Sequence, residues 1–192
     1  MVINNIKIIN ASILDQEVDA IVNPANSHML HGGGVAAQIA LKAGYELTKA
    51  CREHNLPIKV GEVITTPSFN LTNTKIVIHA VGPDFSKTND TNLLFNAYYN
   101  SLIALKDNNY HTIAFPLIST GIFKGNLKNP LEVSTQELLK ANNKFIKDYP
   151  NYKINIKLCI YNSNDYIEVI KTIKEDKKPN KLTKRNNKKG HN

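Results

Sequence analysis

The chain has 192 residues, two cysteines and a formal net charge of +8. This length suits one domain with a real core, and the two cysteines are far apart and lie in no C-x-x-C pair, so neither a disulfide framework nor a zinc site is indicated. No apolar run approaches the roughly 18 residues of a membrane span, and the first residues do not resemble a signal peptide, so we expect a cytoplasmic protein without membrane contact, metal or cofactor.

The positive charge is concentrated at the C-terminus. Residues 172–192 hold seven Lys, one Arg, one Glu and one Asp, which is +6 of the total of +8. A segment with so few apolar residues cannot offset its ordering entropy by burial, so we predict a disordered basic tail over 174–192. The tail is interpreted either as a solubilising end or as a weak, salt-sensitive arm for RNA, DNA or another polyanion.

Before the tail, short β-branched runs alternate with longer runs that carry apolar residues at helical spacing. In chain order the pattern predicts strands over 6–9, 20–22, 60–65, 75–80, 112–117 and 154–161, and helices over 35–43, 45–54, 93–107, 131–145 and 165–174. This alternation predicts one α/β domain over 1–173, with a central, largely parallel sheet of about six strands and helices on both faces. The strands at 60–65 and 75–80 have no helix between them, which favours an antiparallel pair. His79, inside an apolar strand, is predicted to be a hydrogen-bonded core residue.

Two loops stand out, because ligands of such sheets bind beyond the carboxyl ends of the strands. The first, residues 23–35, contains three consecutive glycines directly before a helix. Closely spaced amides and the positive end of a helix suit phosphate, although the spacing matches neither the P-loop nor the dinucleotide fingerprint. The second, residues 118–125, adds Ser119, Thr120 and Gly121. Together the two loops predict a binding site for a pyrophosphate, with one loop on each side of it.

Four segments carry a family resemblance. They are Val-Asp-Ala-Ile-Val-Asn-Pro-Ala-Asn at 18–26, His-Gly-Gly-Gly-Val at 31–35, Val-Ile-His-Ala-Val-Gly-Pro at 77–83, and Phe-Pro-Leu-Ile-Ser-Thr-Gly-Ile-Phe at 115–123. In this order and spacing they resemble the macrodomains, and the His-Gly-Gly-Gly-Val and Gly-Ile-Phe loops are similar to those of the viral-type members. The resemblance runs from about residue 4 to 173 and implies a three-layer α/β/α fold, a cleft for ADP-ribose, and mono-ADP-ribosylated proteins as partners. We also expect a monomer.

The resemblance also implies residue roles. Asn26, Gly34 and Phe123 match catalytic positions, with Asn26 on the distal ribose hydroxyls, Gly34 on the pyrophosphate and Phe123 packed on the distal ribose. Tyr161 would stack on the adenine; without the resemblance, Phe123 and Tyr161 fit ordinary core packing equally well, and His31 fits a structural loop histidine. The remaining implied ligand-binding residues are Ser12, Ile13, Asn23, Ala25, His31, Gly32, Gly33, Val35, Ser119, Thr120, Gly121, Ile122 and Asn162.

Two departures from the family pattern bear on function. Ser12 stands where the family commonly has an Asp that accepts from the adenine amino group, and a neutral hydroxyl is the weaker acceptor. Ala36 stands where one large hydrolase subgroup has an Asp, which excludes a carboxylate base from that position. The viral-type members include hydrolases that lack this Asp, so the resemblance implies phosphate-assisted hydrolysis of mono-ADP-ribose, with Glu- or Asp-linked esters as substrates. The alternatives are a non-catalytic reader and an O-acetyl-ADP-ribose deacetylase.

Overall fold

A computed structural model describes residues 1–176, so the predicted tail from residue 177 onward lies outside the described residues. The strands are β1 Val2–Ile3, β2 Ile6–Ile9, β3 Ala20–Ala25, β4 Val63–Pro67, β5 Ile76–Val81, β6 Thr112–Phe115 and β7 Asn155–Cys159. The helices are α1 Gly34–Ala43, α2 Tyr45–Arg52, α3 Asn92–Asp107, α4 Pro130–Asp148 and α5 Ser163–Asp176, with short 3-10 turns at Ile13–Asp15 and Ile122–Lys124.

All seven strands form one sheet in the order β1-β2-β7-β6-β3-β5-β4. The five strands from β2 to β5 in this order run parallel, and the antiparallel pairing predicted for the strands near 60–80 is confirmed as β4 with β5. The expected α/β fold is confirmed, but the expected number of about six strands omitted β1. A two-residue edge strand paired through Val2↔Lys7 and Ile3↔Ile6 is too short to show a periodic pattern.

Helices cover both faces of the sheet, which gives the expected three layers. On one face α3, α4 and α5 pack against it, and α3 presents Leu94, Tyr98, Leu102 and Leu105, all essentially inaccessible to solvent. On the other face α1 and α2 bury Ile39 and Leu47. Burial of each such large side chain contributes about 1.5–3 kcal/mol, so these helical stripes hold the layers together.

At the centre of the sheet, β3 separates from β6 while it stays paired with β5. The β3–β6 pairing comprises Ala20↔Ile113 and Ile21↔Ala114, whereas the β3–β5 pairing continues to Ala25↔Val81. The chain leaves β3 toward α1 on one face and leaves β6 toward α4 on the other. Diverging connections of this kind open a crevice at the carboxyl ends of two neighbouring strands. β3 also runs three residues past its predicted end, because Asn23 and Pro24 interrupt the apolar run but not the pairing.

α5 continues to Asp176, past the predicted domain end at 173. Because residues 177–192 lie outside the described residues, the role of the tail as a polyanion arm stays a prediction. Within residues 1–176, no helix is both long and apolar enough to cross a membrane.

At the opposite end of β3 from the crevice, the Asp19 carboxylate joins three strands. One oxygen pairs with Lys75 Nζ at 2.6 Å, and the other accepts from the backbone of His111 and from both the backbone and the hydroxyl of Thr112, at 2.8–3.0 Å. These hydrogen bonds hold the pKa of Asp19 far below its ordinary value, although its partial burial alone would raise it. The charged form of Asp19 therefore stabilises the junction of β3, β5 and β6.

We expect Asp19→Ala to lower the free energy of unfolding by about 2 kcal/mol at neutral pH, the usual range for losing hydrogen bonds to a charged group. Because folding lowers the pKa of Asp19, its contribution is complete above the ordinary value of 3.8 and declines as the pH falls below it. Urea unfolding at pH 7 and pH 3 should show the difference from wild type shrinking at the lower pH. Glu17→Gln, at an exposed position nearby, is the control; an equal difference at both pH values would contradict the assignment.

Candidate functional site

The first loop leaves β3 and enters α1 at the mouth of the crevice. Gly33 has extended backbone and Gly34 has a φ of 58°, the left-handed region that favours glycine. A side chain at Gly34 would meet open space, and the N–H groups of Gly33 and Gly34 have no hydrogen-bond partner within residues 1–176. These amides lie at the N-terminus of a ten-residue helix, and unpaired amides at the positive end of a helix are an arrangement that suits an anion.

The side chain of Asn26 organises this loop from within. Its Oδ1 accepts from the backbone N–H groups of His28 and Leu30, both at 3.1 Å, and its Nδ2 donates to the Leu30 carbonyl at 2.7 Å. A carboxamide has two N–H groups, so one remains for a ligand. Asn26 is half-buried at the crevice, and its contribution to a ligand is restricted to that N–H unless the loop rearranges.

A buried polar cluster lies beneath the first loop. Asn23 Nδ2 donates to His79 Nδ1 at 2.9 Å, so the imidazole carries its proton on Nε2, which donates to Thr66 Oγ1 at 3.0 Å. Burial lowers the pKa of His79 to about 3, which keeps the ring neutral. The prediction of His79 as a satisfied core residue is confirmed. The fully buried Asn23 side chain supports the loop from below, and its implied ligand contact stays a prediction.

His31, directly before the glycines, lies over this cluster with its ring 6.3 Å from that of His79. Its Nε2 is buried and has no hydrogen-bond partner within residues 1–176, as is also true of Asn23 Oδ1. Burial and the nearby Arg52 guanidinium lower the pKa of His31. The low pKa keeps the ring neutral, and no hydrogen bond of the described residues engages either ring nitrogen, so the implied ligand contact of His31 stays a prediction.

The second loop follows β6 and faces the first across the crevice. Ser119 has a φ of 61°, and its hydroxyl donates to the Pro83 carbonyl at 2.7 Å; Thr120 donates to Leu117. The Ile122 side chain is 94% exposed, and within residues 1–176 the N–H groups from 119 to 122 have no partner. Phe123 is half-buried, and its carbonyl accepts from the Phe85 amide at 2.9 Å.

A third group of the implied residues lies where β2 and β7 end. Ser12 Oγ caps the 3-10 turn by accepting from Leu14 N at 3.2 Å, and Asn162 Oδ1 caps α5. Ile13 is a core residue, as is Ala25 at the end of β3. Tyr161 is 81% exposed, so its alternative interpretation as core packing is wrong. The implied set thus comprises exposed loop amides and a supporting layer of buried side chains.

Sequence reasoning missed several residues that support these loops. Asn10 Nδ2 donates to the carbonyls of Ile160 and Tyr161, which fixes the end of β7. Tyr98 and Ser134 bond the backbone of Ile118 at the start of the second loop. Tyr98 lies within the helix predicted over 93–107, but a spacing pattern contains no information on the partner of its hydroxyl. An asparagine that follows a strand resembles any turn residue.

Comparisons with known proteins agree with this geometry. The sequence profile of the family described as Macro domain matches residues 22–133. A relative from Escherichia fergusonii named O-acetyl-ADP-ribose deacetylase is 40% identical over 125 residues, which is 62% of this chain and 70% of the relative.

Two solved structures are similar over most of the chain. The Oceanobacillus iheyensis macrodomain with ADP has a TM-score of 0.80 and 32% identity, covering 91% of this chain and 94% of that one. The Trypanosoma brucei macrodomain in complex with ADP-ribose has a TM-score of 0.78 and 27% identity, covering 88% of this chain and 69% of that one.

The buried imidazole predicts a loss of stability in mild acid. Because folding lowers the pKa of His79, only the unfolded chain takes up its proton below the ordinary value of 6.5, so stability is lost as the pH falls from there toward 3. The slope from this one group should approach about 1.4 kcal/mol per pH unit. We expect His79→Gln to remove that slope between pH 6 and 4.5, measured by urea unfolding. Equal slopes for the two proteins would mean that His79 is not held neutral.

Proposed function

The chain belongs to the macrodomain family, and from this premise we propose that it binds ADP-ribose and hydrolyses mono-ADP-ribose from modified proteins, with Glu- or Asp-linked esters as the substrate class. We place this activity in a reducing, cytoplasmic setting, which suits two free cysteines that are both buried, and in a monomer.

The observation that carries the proposal is the pair of amide-rich loops at the carboxyl ends of β3 and β6. The two strands separate after Ile21↔Ala114, which leaves a crevice between the loops. On one side are the amides of Gly33 and Gly34, and on the other those from 119 to 122. Two sets of N–H groups on opposite walls suit a ligand with two linked phosphates. The solved relatives with ADP and ADP-ribose support the same ligand class.

Catalysis in this proposal depends on positioning and on amide dipoles. The free N–H of Asn26 would bind a distal ribose hydroxyl, and Phe123 would pack against that sugar. Water would attack the anomeric carbon while the ester oxygen leaves with its carboxylate, and a substrate phosphate would take the proton of the water. The amides of Gly33 and Gly34 would stabilise the charge of the pyrophosphate. With Ala36 beside the glycines, no carboxylate base comes from that position.

Two alternatives each have an observation in their favour. The E. fergusonii relative named O-acetyl-ADP-ribose deacetylase favours release of acetate from that ester in the same crevice. The hydrogen bonds that already engage Asn26 and Ser12 favour a reader that binds ADP-ribose without turnover. Both alternatives use the same crevice, so turnover assays decide between them.

The first test removes the Asn26 carboxamide. We expect Asn26→Ala to slow hydrolysis at least about tenfold, because the ribose loses a positioning contact and the loop loses three internal hydrogen bonds. The measurement is single-turnover loss of label from a protein mono-ADP-ribosylated on Glu or Asp, beside calorimetric titration with ADP-ribose. Asn143→Ala, at an exposed position on α4, is the control.

Each outcome of this assay has a definite meaning. Full turnover in Asn26→Ala would show that the catalytic assignment is wrong. Binding without label loss in the wild type would make the protein a reader, and acetate release from O-acetyl-ADP-ribose without label loss would make it a deacetylase.

The second test places a carboxylate beside the unpaired amides of Gly33 and Gly34. We expect Gly34→Glu to weaken ADP-ribose binding at least about tenfold, since the carboxylate repels phosphate and the side chain fills the approach. Gln38→Glu adds the same charge one turn along α1 and should bind as the wild type does. Titration calorimetry gives the affinities, and thermal unfolding checks the fold. Unchanged affinity in Gly34→Glu would place the phosphates elsewhere.

A further inference from the structure

We propose that Tyr98 and Ser134, both buried behind the second loop, are positioning residues that set the affinity of this loop for ADP-ribose. They do so through a closed ring of hydrogen bonds around Ile118, which we call the Ile118 clamp: Tyr98 Oη, Ser134 Oγ and the backbone N–H and C=O of Ile118. The inference rests on the proposed ADP-ribose site and names side chains outside it.

Proton counting fixes the direction of every bond in the clamp. The Ile118 N–H donates to Tyr98 Oη at 2.9 Å, and the Ser134 hydroxyl donates to the Ile118 carbonyl at 2.8 Å. The Tyr98 and Ser134 oxygens are 2.6 Å apart. Since the single proton of Ser134 is used by the carbonyl, the Tyr98 hydroxyl must donate to Ser134 Oγ. The ring is therefore closed, with each hydroxyl donating one bond and accepting one.

The Ile118 clamp is buried, and its side chains pack against the core. Tyr98 is fully buried, and Ser134 and Ile118 are each 1% exposed. The Tyr98 ring packs edge-on against Phe115, with centroids 5.4 Å apart. Burial raises the pKa of Tyr98 to about 12, so its hydroxyl keeps the proton that the ring requires. In such an environment water does not replace a lost partner, and each of the three bonds depends on the other two.

The position of the clamp links it to the loop amides. Ile118 immediately precedes Ser119, whose φ of 61° is unfavourable for a residue with a side chain and persists only where neighbours enforce it. The Ser119 hydroxyl is tied to the Pro83 carbonyl, and a side chain at Gly82 would lie 2.4 Å from both Ile118 and Ser119. The backbone at 118–119 is thus fixed from both sides, and the unpaired amides up to Ile122 extend from that fixed point.

A single hydroxyl deletion tests the clamp, and the chain supplies a matched control. Tyr98→Phe leaves the Ile118 N–H without its acceptor, whereas Tyr152→Phe removes a hydroxyl that donates to the Tyr110 carbonyl at 2.8 Å, remote from both loops. We expect about a tenfold loss of ADP-ribose affinity in Tyr98→Phe and no change in Tyr152→Phe, measured by calorimetry. Affinity within about twofold of wild type in Tyr98→Phe would overturn the proposal.

Ser134 allows a second, independent comparison of a test variant with a matched control variant. Ser134→Ala opens the clamp at the Ile118 carbonyl, while Ser101→Ala removes an equally buried serine hydroxyl that donates only to Ala97 of its own helix at 2.7 Å. Ser134→Ala should weaken binding and Ser101→Ala should not. Loss of affinity in Tyr98→Phe combined with Ser134→Ala should be smaller than the sum of the two losses, because both open one ring. Equal affinities for the two serine variants would also overturn the proposal.

Hydrogen exchange separates failure of the clamp from failure of the proposed function. In Tyr98→Phe without ligand, the hydrogen-bonded amides of Ile118 and Lys124 should exchange at least about tenfold faster than in Tyr152→Phe, because Ile118 loses its acceptor and the loop that follows it loses its anchor. If the wild type fails to bind ADP-ribose, the proposed function is wrong, and this exchange measurement alone then decides whether the clamp positions the loop. Unchanged exchange at Ile118 and Lys124 would refute it.

Discussion

The parallel placement of β3 between β5 and β6 is the constraint on which the rest of the structure depends. At the start of β3, the Asp19 carboxylate binds the backbone or side chains of both neighbours, which sets all three strands in register. At its end, β3 stays with β5 and separates from β6. Because backbone groups at the separation must find other partners or face solvent, the two loops that leave these strands expose their amides to the crevice.

The two loops reach this state by different means. The first is organised by its own side chain, since Asn26 satisfies backbone groups of His28 and Leu30. The second is organised by side chains far away in sequence, Tyr98 and Ser134. A loop held by local contacts can change conformation without disturbing the core, whereas a loop anchored in the core can change only if the core does. On binding of a ligand, the first loop would therefore change conformation, whereas the second loop would keep the conformation that the core imposes.

The sequence predicted those features that depend on local pattern. Apolar spacing was sufficient for the five helices, and strand chemistry was sufficient for every strand except the two-residue β1. The glycines at 32–34 predicted the turn into α1 with its unpaired amides, because glycine permits the positive φ that Gly34 adopts. Contacts between residues that are distant in sequence could not be predicted. The spacing of apolar residues does not reveal that the Tyr98 hydroxyl contacts Ser134, and the strand pattern does not reveal that Asn23 bonds His79. Such pairings are set by the tertiary structure alone.

The buried polar layer explains why supporting side chains and side chains that face the crevice are hard to separate by residue type. Asn23 and Asn26 are three residues apart and chemically identical, yet one is fully buried against His79 and the other lies half-buried at the crevice. Two further strand residues place Asn26 past the last β3–β5 pair, where its carboxamide is free of the sheet. Position relative to the end of the pairing, and not the amide group itself, therefore assigns each asparagine its role. The same argument applies to the second loop, where Ser119 lies in the crevice wall and Ser134 lies behind it.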